Sequence, residues 1–184
     1  MSKPKRAVFA FSACPITDGH IDIVHRAAKV FDEIIIAIPR HVNKGDADRM
    51  FNDADRFVMA KVTFADEPNV TNVVFIETTT IDICKKYNAR FLIRGIRDYT
   101  DLNYEYKLAY LNRKISVGVV DTFFVPGDPT LSMFSSTTVR ELIKLKNPTW
   151  KEFVPKCVIA YIENIIDCEC VEKGMGGLRF KKSK

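Results

Sequence analysis

An α/β domain, in which helices cover both faces of a parallel sheet, is the fold class that this sequence predicts. Apolar runs alternate with segments of helical periodicity along most of the 184 residues. The run at residues 34–38 is apolar at every position, which indicates a strand that is buried on both faces. Repeated alternation of such strands with helices is typical of a doubly wound sheet.

The first element is a predicted strand at residues 7–11, followed by a helix that begins close to His20. Apolar side chains recur at helical spacing after this histidine, at Ile21, Val24, Ala27, Ala28 and Phe31. The strand at residues 34–38 completes a strand–helix–strand unit. Pro39 ends it, because proline has no N–H group to donate to a neighbouring strand.

The alternation continues through the rest of the chain. Helices are predicted near residues 53–66, 81–87 and 102–114, and strands at 73–76, 91–93 and 122–125. Helices at 135–145 and 155–166 follow the last strand and form a C-terminal helical closure. Right-handed crossovers bring the carboxyl ends of parallel strands to one edge of this Rossmann-like sheet, so we expect the ligand site at that edge.

Length and charge indicate one domain with a basic tail. A chain of 184 residues has the size of a single domain, which we assign to residues 1–170. The formal net charge is +5, and residues 173–184 contain five basic residues and no acid, so the body is formally neutral. The segment 171–184 is predicted to be a flexible, solvated tail. A neutral body without an aromatic and basic platform argues against a nucleic-acid partner.

The cysteines and the apolar runs predict a soluble protein in a reducing compartment. Five cysteines without paired Cys-x-x-Cys spacing favour free thiols over a disulfide framework or a structural zinc site. No run approaches the ~18 consecutive apolar residues of a membrane span. Residues 1–6 lead into the first strand without an apolar signal sequence. We therefore expect a cytoplasmic protein with no membrane partner.

The first motif lies at residues 12–20, where the first strand leads into the first helix. Unpaired N–H groups and the positive end of the helix dipole favour phosphate at such a position. Gly19 permits close approach of a ligand to the backbone, and His20 lies in the first helical turn. A histidine there can donate a hydrogen bond to phosphate, although a lone histidine at a helix start is more commonly a capping or surface residue.

Arg94 and Arg97 form the second motif, with Gly95 and Ile96 between them. The apolar strand at residues 91–93 brings Arg94 to the carboxyl edge, and Gly95 is expected to free the turn. Both guanidinium groups can then reach into the cleft, where their rigid fork of donors suits phosphate oxygens. A pair of solvated arginines is the alternative interpretation.

The third motif, at residues 132–137, combines a hydroxyl-rich loop with a helix start, so it offers N–H and O–H donors to phosphate. Taken alone, it is a good helix N-cap. Ahead of it, Arg97, Asp101 and Glu105 are spaced by four, and they share one helix face if the helix begins near Asp98. The plain interpretation of that face is a solvated surface with an ion pair.

The order and spacing of these three motifs resemble the HxGH nucleotidyltransferase superfamily, and most closely its bacterial-type phosphopantetheine adenylyltransferases. The resemblance spans most of the chain, and Thr17 stands at the first position of the HxGH pattern. It implies transfer of AMP from ATP to 4′-phosphopantetheine, giving dephospho-coenzyme A and pyrophosphate in coenzyme A biosynthesis. It also implies Mg²⁺ carried mainly by the ATP phosphates, no metal ligand from the protein, and a hexameric homo-oligomer.

The resemblance also implies roles for individual residues. His20 would be the catalytic group, stabilising the pentacovalent transition state without a covalent intermediate. Arg94 would contact the acceptor phosphate, Lys44 both substrates, and Thr79 and Thr80 the pantetheine arm. Besides His20, the implied contacts to ATP are Ser12, Ala13, Gly95, Ile96, Arg97, Glu105, Leu131, Ser132, Met133, Phe134, Ser135, Ser136 and Thr137. Ser12 would also contact the acceptor, and Asp101 is a weaker match.

The first turn departs from the family pattern. That pattern reads Gly-Ser/Thr-Phe-Asp-Pro, whereas this chain has Phe11, Ser12, Ala13, Cys14 and Pro15. Phe11 replaces a glycine and Cys14 removes a carboxylate, so we expect a reshaped acceptor pocket with adenylyl transfer retained. Two alternatives stay open: another nucleotidyltransferase of this superfamily, such as a nicotinamide mononucleotide adenylyltransferase, and a non-catalytic module that binds nucleotide or coenzyme A.

Overall fold

The computed structural model describes residues 3–40, 50–132 and 135–172, and within them it shows a five-stranded parallel sheet. The strands are β1 (Arg6–Ala10), β2 (Glu33–Pro39), β3 (Val70–Ile76), β4 (Phe91–Ile96) and β5 (Asp121–Pro126). Their order is β3-β2-β1-β4-β5, and each neighbouring pair is parallel. The predicted doubly wound α/β fold is therefore confirmed.

Helices follow the strands and cover both faces of the sheet. They are α1 (Asp18–Ala27), α2 (Asp53–Thr63), α3 (Thr80–Lys86), α4 (Tyr99–Ile115), α5 (Pro129–Ser132), α6 (Ser136–Lys144) and α7 (Lys156–Glu172), together with a 3-10 helix at Pro148–Phe153. The sequence analysis missed α5 and the 3-10 helix, because each is too short to show an apolar period. Among the helices that the structure describes, none is both long and apolar enough to cross a bilayer.

Alternate side chains of the central strands enter two separate apolar clusters. Phe9 of β1 and Ile36 of β2 pack in the cluster that includes α1, α2, α6 and α7. Val8 of β1 and Ile35 of β2 pack in the cluster that includes α3. The side chains at residues 34–38 are at most 1% exposed. This strand is thus buried on both faces, as its uninterrupted apolar run predicts.

Side-chain caps fix where the helices after the strands begin. Thr79 and Asp82 form a capping box at α3, in which Thr79 Oγ1 accepts from the Asp82 N–H and Asp82 Oδ2 accepts from the Thr79 N–H. Asp98 caps α4, and Ser135 Oγ accepts from the Thr138 N–H at 3.1 Å to cap α6. These caps place several helix N-termini at the carboxyl edge of the sheet.

The last helix is longer than the sequence predicts. α7 continues to Glu172, beyond the predicted end at residue 166 and into the segment 171–184 that we assigned to the tail. Its apolar side chains Val158 and Ile162 are fully buried. α7 therefore closes the domain as expected, and residues 173–184 lie outside the described residues.

Candidate active site

A cavity of about 360 Å³ opens at the carboxyl edge of the sheet. It is lined by residues in or directly after β1, β4 and β5 and by residues of α1, α4, α5 and α6. These are Phe9, Ala10, Phe11, Ser12, Thr17, Gly19, His20, Ile23, Arg94, Gly95, Arg97, Glu105, Gly127, Leu131, Ser135, Ser136, Thr137 and Arg140. All three sequence motifs therefore meet in one cavity.

Some residues that the resemblance implies do not line this cavity. Ala13 is fully buried and has a positive φ of 53°, so its side chain faces the core. The carbonyl group of Ile96 accepts a hydrogen bond from the Gly127 N–H at 3.0 Å. Thr80 begins α3, the helix that follows β3 in the chain, and it is not among the residues that line the cavity. Lys44, Met133, Phe134 and the side chain of Ser132 lie outside the described residues.

His20 occupies the third position of α1 and is held by Thr17, the residue that caps this helix. The Thr17 N–H donates to His20 Nδ1 at 3.0 Å, and Thr17 Oγ1 lies 2.9 Å from the same nitrogen. A backbone N–H can only donate, so Nδ1 is an acceptor and the neutral ring carries its proton on Nε2. Within the described residues, Nε2 has no hydrogen-bond partner, so its N–H is available to a ligand in the cavity.

The surroundings of His20 keep the imidazole neutral. Burial, followed by the positive charge of Arg97, lowers the pKa of His20 from 6.5 to about 4. At neutral pH the ring is consequently uncharged. It is suited to donate one hydrogen bond from Nε2, whereas it cannot act there as a cationic group.

Phe11, the residue that replaces the family's glycine, lies directly against His20. The two ring centroids are 4.5 Å apart and the ring planes differ by 26°. Phe11 follows β1, and its N–H donates to the carbonyl oxygen of Ala37 at 3.2 Å. The altered first turn thus places an aromatic ring against the imidazole of His20, the proposed catalytic group.

Arg94 and Glu105 form a two-pronged ion pair inside the cavity. Arg94 Nε and Nη2 each donate to a carboxylate oxygen of Glu105 at 2.6 Å, and Nη1 donates to the carbonyl oxygen of Ala10 at 3.0 Å. Arg97 is half-exposed and pairs with Asp101 at 3.2 Å. The ion pair predicted for this face of α4 is therefore present, and Glu105 makes a second one.

Gly95 has a different setting from the one that we expected. It lies inside β4, opposite Val125 of β5, and not in a turn after the strand. The sequence analysis ended this strand at residue 93, because it expected the glycine to free a turn there. β4 thus carries Arg94 and Gly95 into the cavity on regular strand backbone.

The start of α6 is tied to the first turn. Ser136 Oγ donates to the carbonyl oxygen of Pro15 at 2.8 Å. Arg140 Nη1 donates to the carbonyl oxygen of Cys14 at 2.5 Å, and Nη2 donates to Thr137 Oγ1 at 3.0 Å. Our sequence analysis gave Arg140 no role, yet it lines the cavity. Its position four residues after Ser136, on the same helix face, was the signal that could have found it.

Arg56 of α2 supports the site from inside the protein. Its side chain is fully buried, with Nη1 donating to the carbonyl oxygen of Ser12 at 2.7 Å and Nη2 to that of Pro39 at 2.8 Å. Arg56 Nη2 also pairs with Asp53 at 2.5 Å. This one guanidinium group joins the first turn, the end of β2 and α2. In the sequence it is indistinguishable from a solvated helix charge.

The sequence of this chain was compared with family models and with known proteins, and the matches include most of the residues that line the cavity. Residues 14–142 match a family model described as cytidylyltransferase-like. The chain is 39% identical over 154 residues to the phosphopantetheine adenylyltransferase of Flavobacterium psychrophilum, covering 84% of this chain and 97% of that protein. It is 35% identical over 159 residues to the protein of the same name from Pelagibacter ubique, covering 84% of this chain and 94% of that protein.

A third relative, the phosphopantetheine adenylyltransferase of Pasteurella multocida, is 37% identical over 151 residues, which cover 82% of this chain and 92% of that protein. Among solved structures, the chain is similar to Plasmodium falciparum nicotinic acid mononucleotide adenylyltransferase complexed with NaAD. The TM-score is 0.63 at 16% identity, and the match covers 89% of this chain and 96% of that one. At this identity the structural likeness shows a shared fold alone.

Proposed function

The chain belongs to the phosphopantetheine adenylyltransferase family of nucleotidyltransferases, and from that premise we propose that it adenylylates 4′-phosphopantetheine with ATP. A phosphate oxygen of the acceptor attacks the α-phosphorus of ATP, the bond to the β-phosphate breaks, and pyrophosphate leaves. The products are dephospho-coenzyme A and pyrophosphate, a step of coenzyme A biosynthesis. The observation that carries this proposal is the convergence of all three motifs on one cavity beside the Nε2–H of His20.

His20 is the group that we assign to the transition state. Negative charge builds on the non-bridging oxygens of the α-phosphate as the acceptor attacks, and a donor aimed there binds the transition state more tightly than the ground state. The Thr17 N–H fixes Nδ1 as an acceptor and leaves Nε2–H to donate. Because the rest of the reaction needs alignment and charge neutralisation, positioning by the cavity supplies most of the remaining catalysis.

The pyrophosphate end of ATP is assigned to the second and third motifs. Ser135, Ser136 and Thr137 lie at the N-terminus of α6, where N–H and O–H donors suit the β- and γ-phosphates. Arg97 and Arg140 line the same cavity and can neutralise charge on the leaving group. Mg²⁺ would enter bound to ATP, as part of the substrate. In the part of the chain that the structure describes, no cluster of three acidic, histidine or cysteine side chains could hold a metal ion.

The acceptor is assigned to Arg94, Ser12, Thr80 and Lys44. Three of the five N–H groups of Arg94 are bonded to Glu105 and Ala10, so two remain for the terminal phosphate of the acceptor. Thr80 and Lys44 rest on the resemblance alone, and we retain them as proposals.

The decisive experiment is a pyrophosphate-release assay with ATP and phosphopantetheine, run beside reactions in which nicotinamide mononucleotide or no acceptor is supplied. We expect release with phosphopantetheine only, and its loss in the His20→Ala protein. Release with nicotinamide mononucleotide alone would identify a different nucleotidyltransferase. Absence of release, with calorimetric binding of both ligands intact, would show a binding module in place of an enzyme.

A homo-oligomer, hexameric by family resemblance, is the assembly that we propose. None of the residues of α4 is buried. Its exposed aromatic and aliphatic side chains are Tyr99, Leu102, Tyr104, Tyr106, Tyr110, Leu111 and Ile115. A second copy of the chain would cover this surface. Light scattering should report an oligomer that Tyr110→Glu dissociates, and a monomeric wild-type protein would refute the assignment.

We propose that the protein is cytoplasmic. Cys14, Cys84 and Cys157 are free thiols, and thiols are kept reduced in the cytoplasm.

A further inference from the structure

The contact between Phe11 and His20 depends on a residue that the family pattern lacks. The stack has a centroid separation of 4.5 Å, and the ring of Phe9 lies 4.6 Å from that of Phe11, tilted by 36°. Phe11 thus contacts both His20 and a second aromatic ring. The pattern has its phenylalanine at the position of Ala13, which is fully buried here, whereas this chain has a phenylalanine at position 11.

Two contacts together define the orientation of the imidazole. Thr17 binds one edge of the ring at Nδ1. A hydrogen bond to a single atom still allows the ring to rock, because the second torsion angle of histidine has a broad energy minimum. The Phe11 ring covers a face of the imidazole and opposes that motion. Phe11 is itself fixed, because its N–H continues the pairing of β1 with β2.

We propose that Phe11 is a positioning residue for adenylyl transfer, whose ring holds the His20 imidazole with Nε2–H directed to the cavity. This inference rests on the function proposed above. Phe11 acts through His20, and its removal should therefore slow the chemical step. The sequence analysis expected a different effect, namely that the altered first turn would reshape the acceptor pocket.

The electrostatic setting of His20 gives this contact a second effect. Burial is the main cause of its lowered pKa, with the charge of Arg97 next. The other charged groups facing the cavity are Arg140 and the Arg94–Glu105 ion pair, and Asp18 lies on α1 beside His20. The ring of Phe11 excludes water from one imidazole face, so its loss should rehydrate His20 and raise the pKa of His20 toward 6.5.

The kinetic arm of the test compares three variants. Phe11→Leu keeps an apolar side chain without a ring, and we expect kcat to fall about 3–10-fold while both KM values stay within about twofold. Phe11→Tyr keeps the ring and should restore kcat. Phe91→Leu is the matched control, because it removes a ring that contacts Phe31 at a centroid distance of 5.4 Å, at the amino end of β4 and away from the cavity. Its kcat should equal that of the wild type.

The spectroscopic arm needs no turnover. Histidine NMR titration of the free protein should show His20 as the Nε2-protonated tautomer with a pKa near 4, and Phe11→Leu should raise that pKa and mix the tautomers. The ring resonances of His25, which is exposed and pairs with Glu67 at 2.7 Å, are the internal control for local structure and should keep their positions at neutral pH in Phe11→Leu. Far-UV circular dichroism establishes that each variant is folded.

The outcomes separate the two proposals. A lowered kcat together with an altered His20 titration in Phe11→Leu supports the positioning role. An effect on KM alone, or an unaltered His20 spectrum in the folded variant, overturns it. If the wild-type protein transfers no adenylyl group while Phe11→Leu still changes the His20 titration, the proposed function is refuted. The result would still support the orientation of the His20 ring by Phe11.

Discussion

A Cβ atom on Gly95 would lie 3.1 Å from Cγ1 and 3.2 Å from Cδ1 of Ile23. Ile23 belongs to α1, the helix that begins with His20 in its first turn. At this point β4 and α1 pack so closely that a methyl group would fit only if the Ile23 side chain moved by a few tenths of an ångström. The glycine therefore suits the close approach of the helix to the strand, whereas the sequence analysis attributed it to a turn.

Gly95→Ala should destabilise the protein by about 1–3 kcal/mol, because the added methyl group overpacks the contact between β4 and α1. Urea unfolding measures the loss. Combining it with Ile23→Ala should cost less than the sum of the two single changes, since the second substitution removes the overlapping atoms. Additive costs would show that the two residues do not compete for space. Gly19→Ala is the control, because its Cβ would meet only ordinary contacts, at 3.5 Å or more.

His20→Ala should lower kcat by about 10²–10³-fold and change the KM for ATP little, since the lost donor acts mainly on the charge that develops in the transition state. Steady-state kinetics with pyrophosphate detection provides the measurement. His25→Ala is a matched control on the same helix, and it should retain wild-type kcat. A folded His20→Ala protein with undiminished kcat would remove His20 from the mechanism.

Acid should destabilise the protein partly through His20. The pKa of His20 is lowered from 6.5 to about 4, so the unfolded chain takes up a proton before the folded protein does as the pH falls. The free energy of unfolding therefore has its full His20 contribution above pH 6.5, loses it as the pH falls from 6.5 to 4, and changes no further through His20 below pH 4. The total loss is about 3 kcal/mol at ~1.4 kcal/mol per pH unit.

Urea unfolding of the wild type and His20→Asn from pH 7 to 3.5 tests this. The stability difference between the two proteins should change across that window, because the asparagine amide can accept from the Thr17 N–H but does not titrate. Parallel curves would mean that His20 titrates alike in the folded and unfolded chains.

Arg94→Ala should raise the KM for phosphopantetheine about 10–100-fold, because a charge-assisted contact to its phosphate is lost. Dephosphorylated pantetheine should be affected much less. Glu105→Gln should raise the same KM, since Glu105 orients Arg94 through Nε and Nη2. Arg113→Ala breaks an exposed ion pair with Asp121 outside the cavity and serves as the control. An increase confined to the KM for ATP would reverse the assignment of the arginines.

Arg56→Met should destabilise the protein by about 3–5 kcal/mol, because it removes a fully buried guanidinium group that donates to the carbonyl oxygens of Ser12 and Pro39 and pairs with Asp53. Arg56→Lys should recover little, since one ammonium group cannot reproduce the planar fork. Chemical denaturation monitors both variants. Full stability in Arg56→Lys would show that charge alone suffices at this position.

The strands buried on both faces were the best predicted parts of the fold. The apolar run at residues 34–38 became β2 with one residue added at each end, because full burial leaves an unbroken apolar signal. At the sheet edge the signal is weaker. β3 begins at Val70, earlier than the predicted residue 73, since Thr71 and Asn72 are exposed and polar. Pairing with β2 makes these residues a strand, and that partner is invisible in the local sequence.

The convergence of the motifs was predictable, whereas the partners of their side chains were not. Parallel strands must end at one edge, so the loops after β1 and β4 had to meet. The contacts of Arg94 with Glu105, Phe11 with His20, and Arg56 with Ser12 depend on how helices pack on the sheet. Residue spacing alone does not specify that packing, and so the arginine that looked free for phosphate is already paired.

β1 is the central strand of the sheet, and this position separates most proposed acceptor contacts from most proposed ATP contacts. In the sheet, β2 and β3 lie on one side of β1, and β4 and β5 lie on the other. Apart from Arg94 and Ser12, the proposed acceptor contacts follow β2 and β3, and most nucleotide contacts lie on the other side. Replacing the loops that follow β2 and β3 with those of a relative that uses a different phosphorylated substrate should therefore change the acceptor of the enzyme. Most of its proposed contacts to ATP should stay the same.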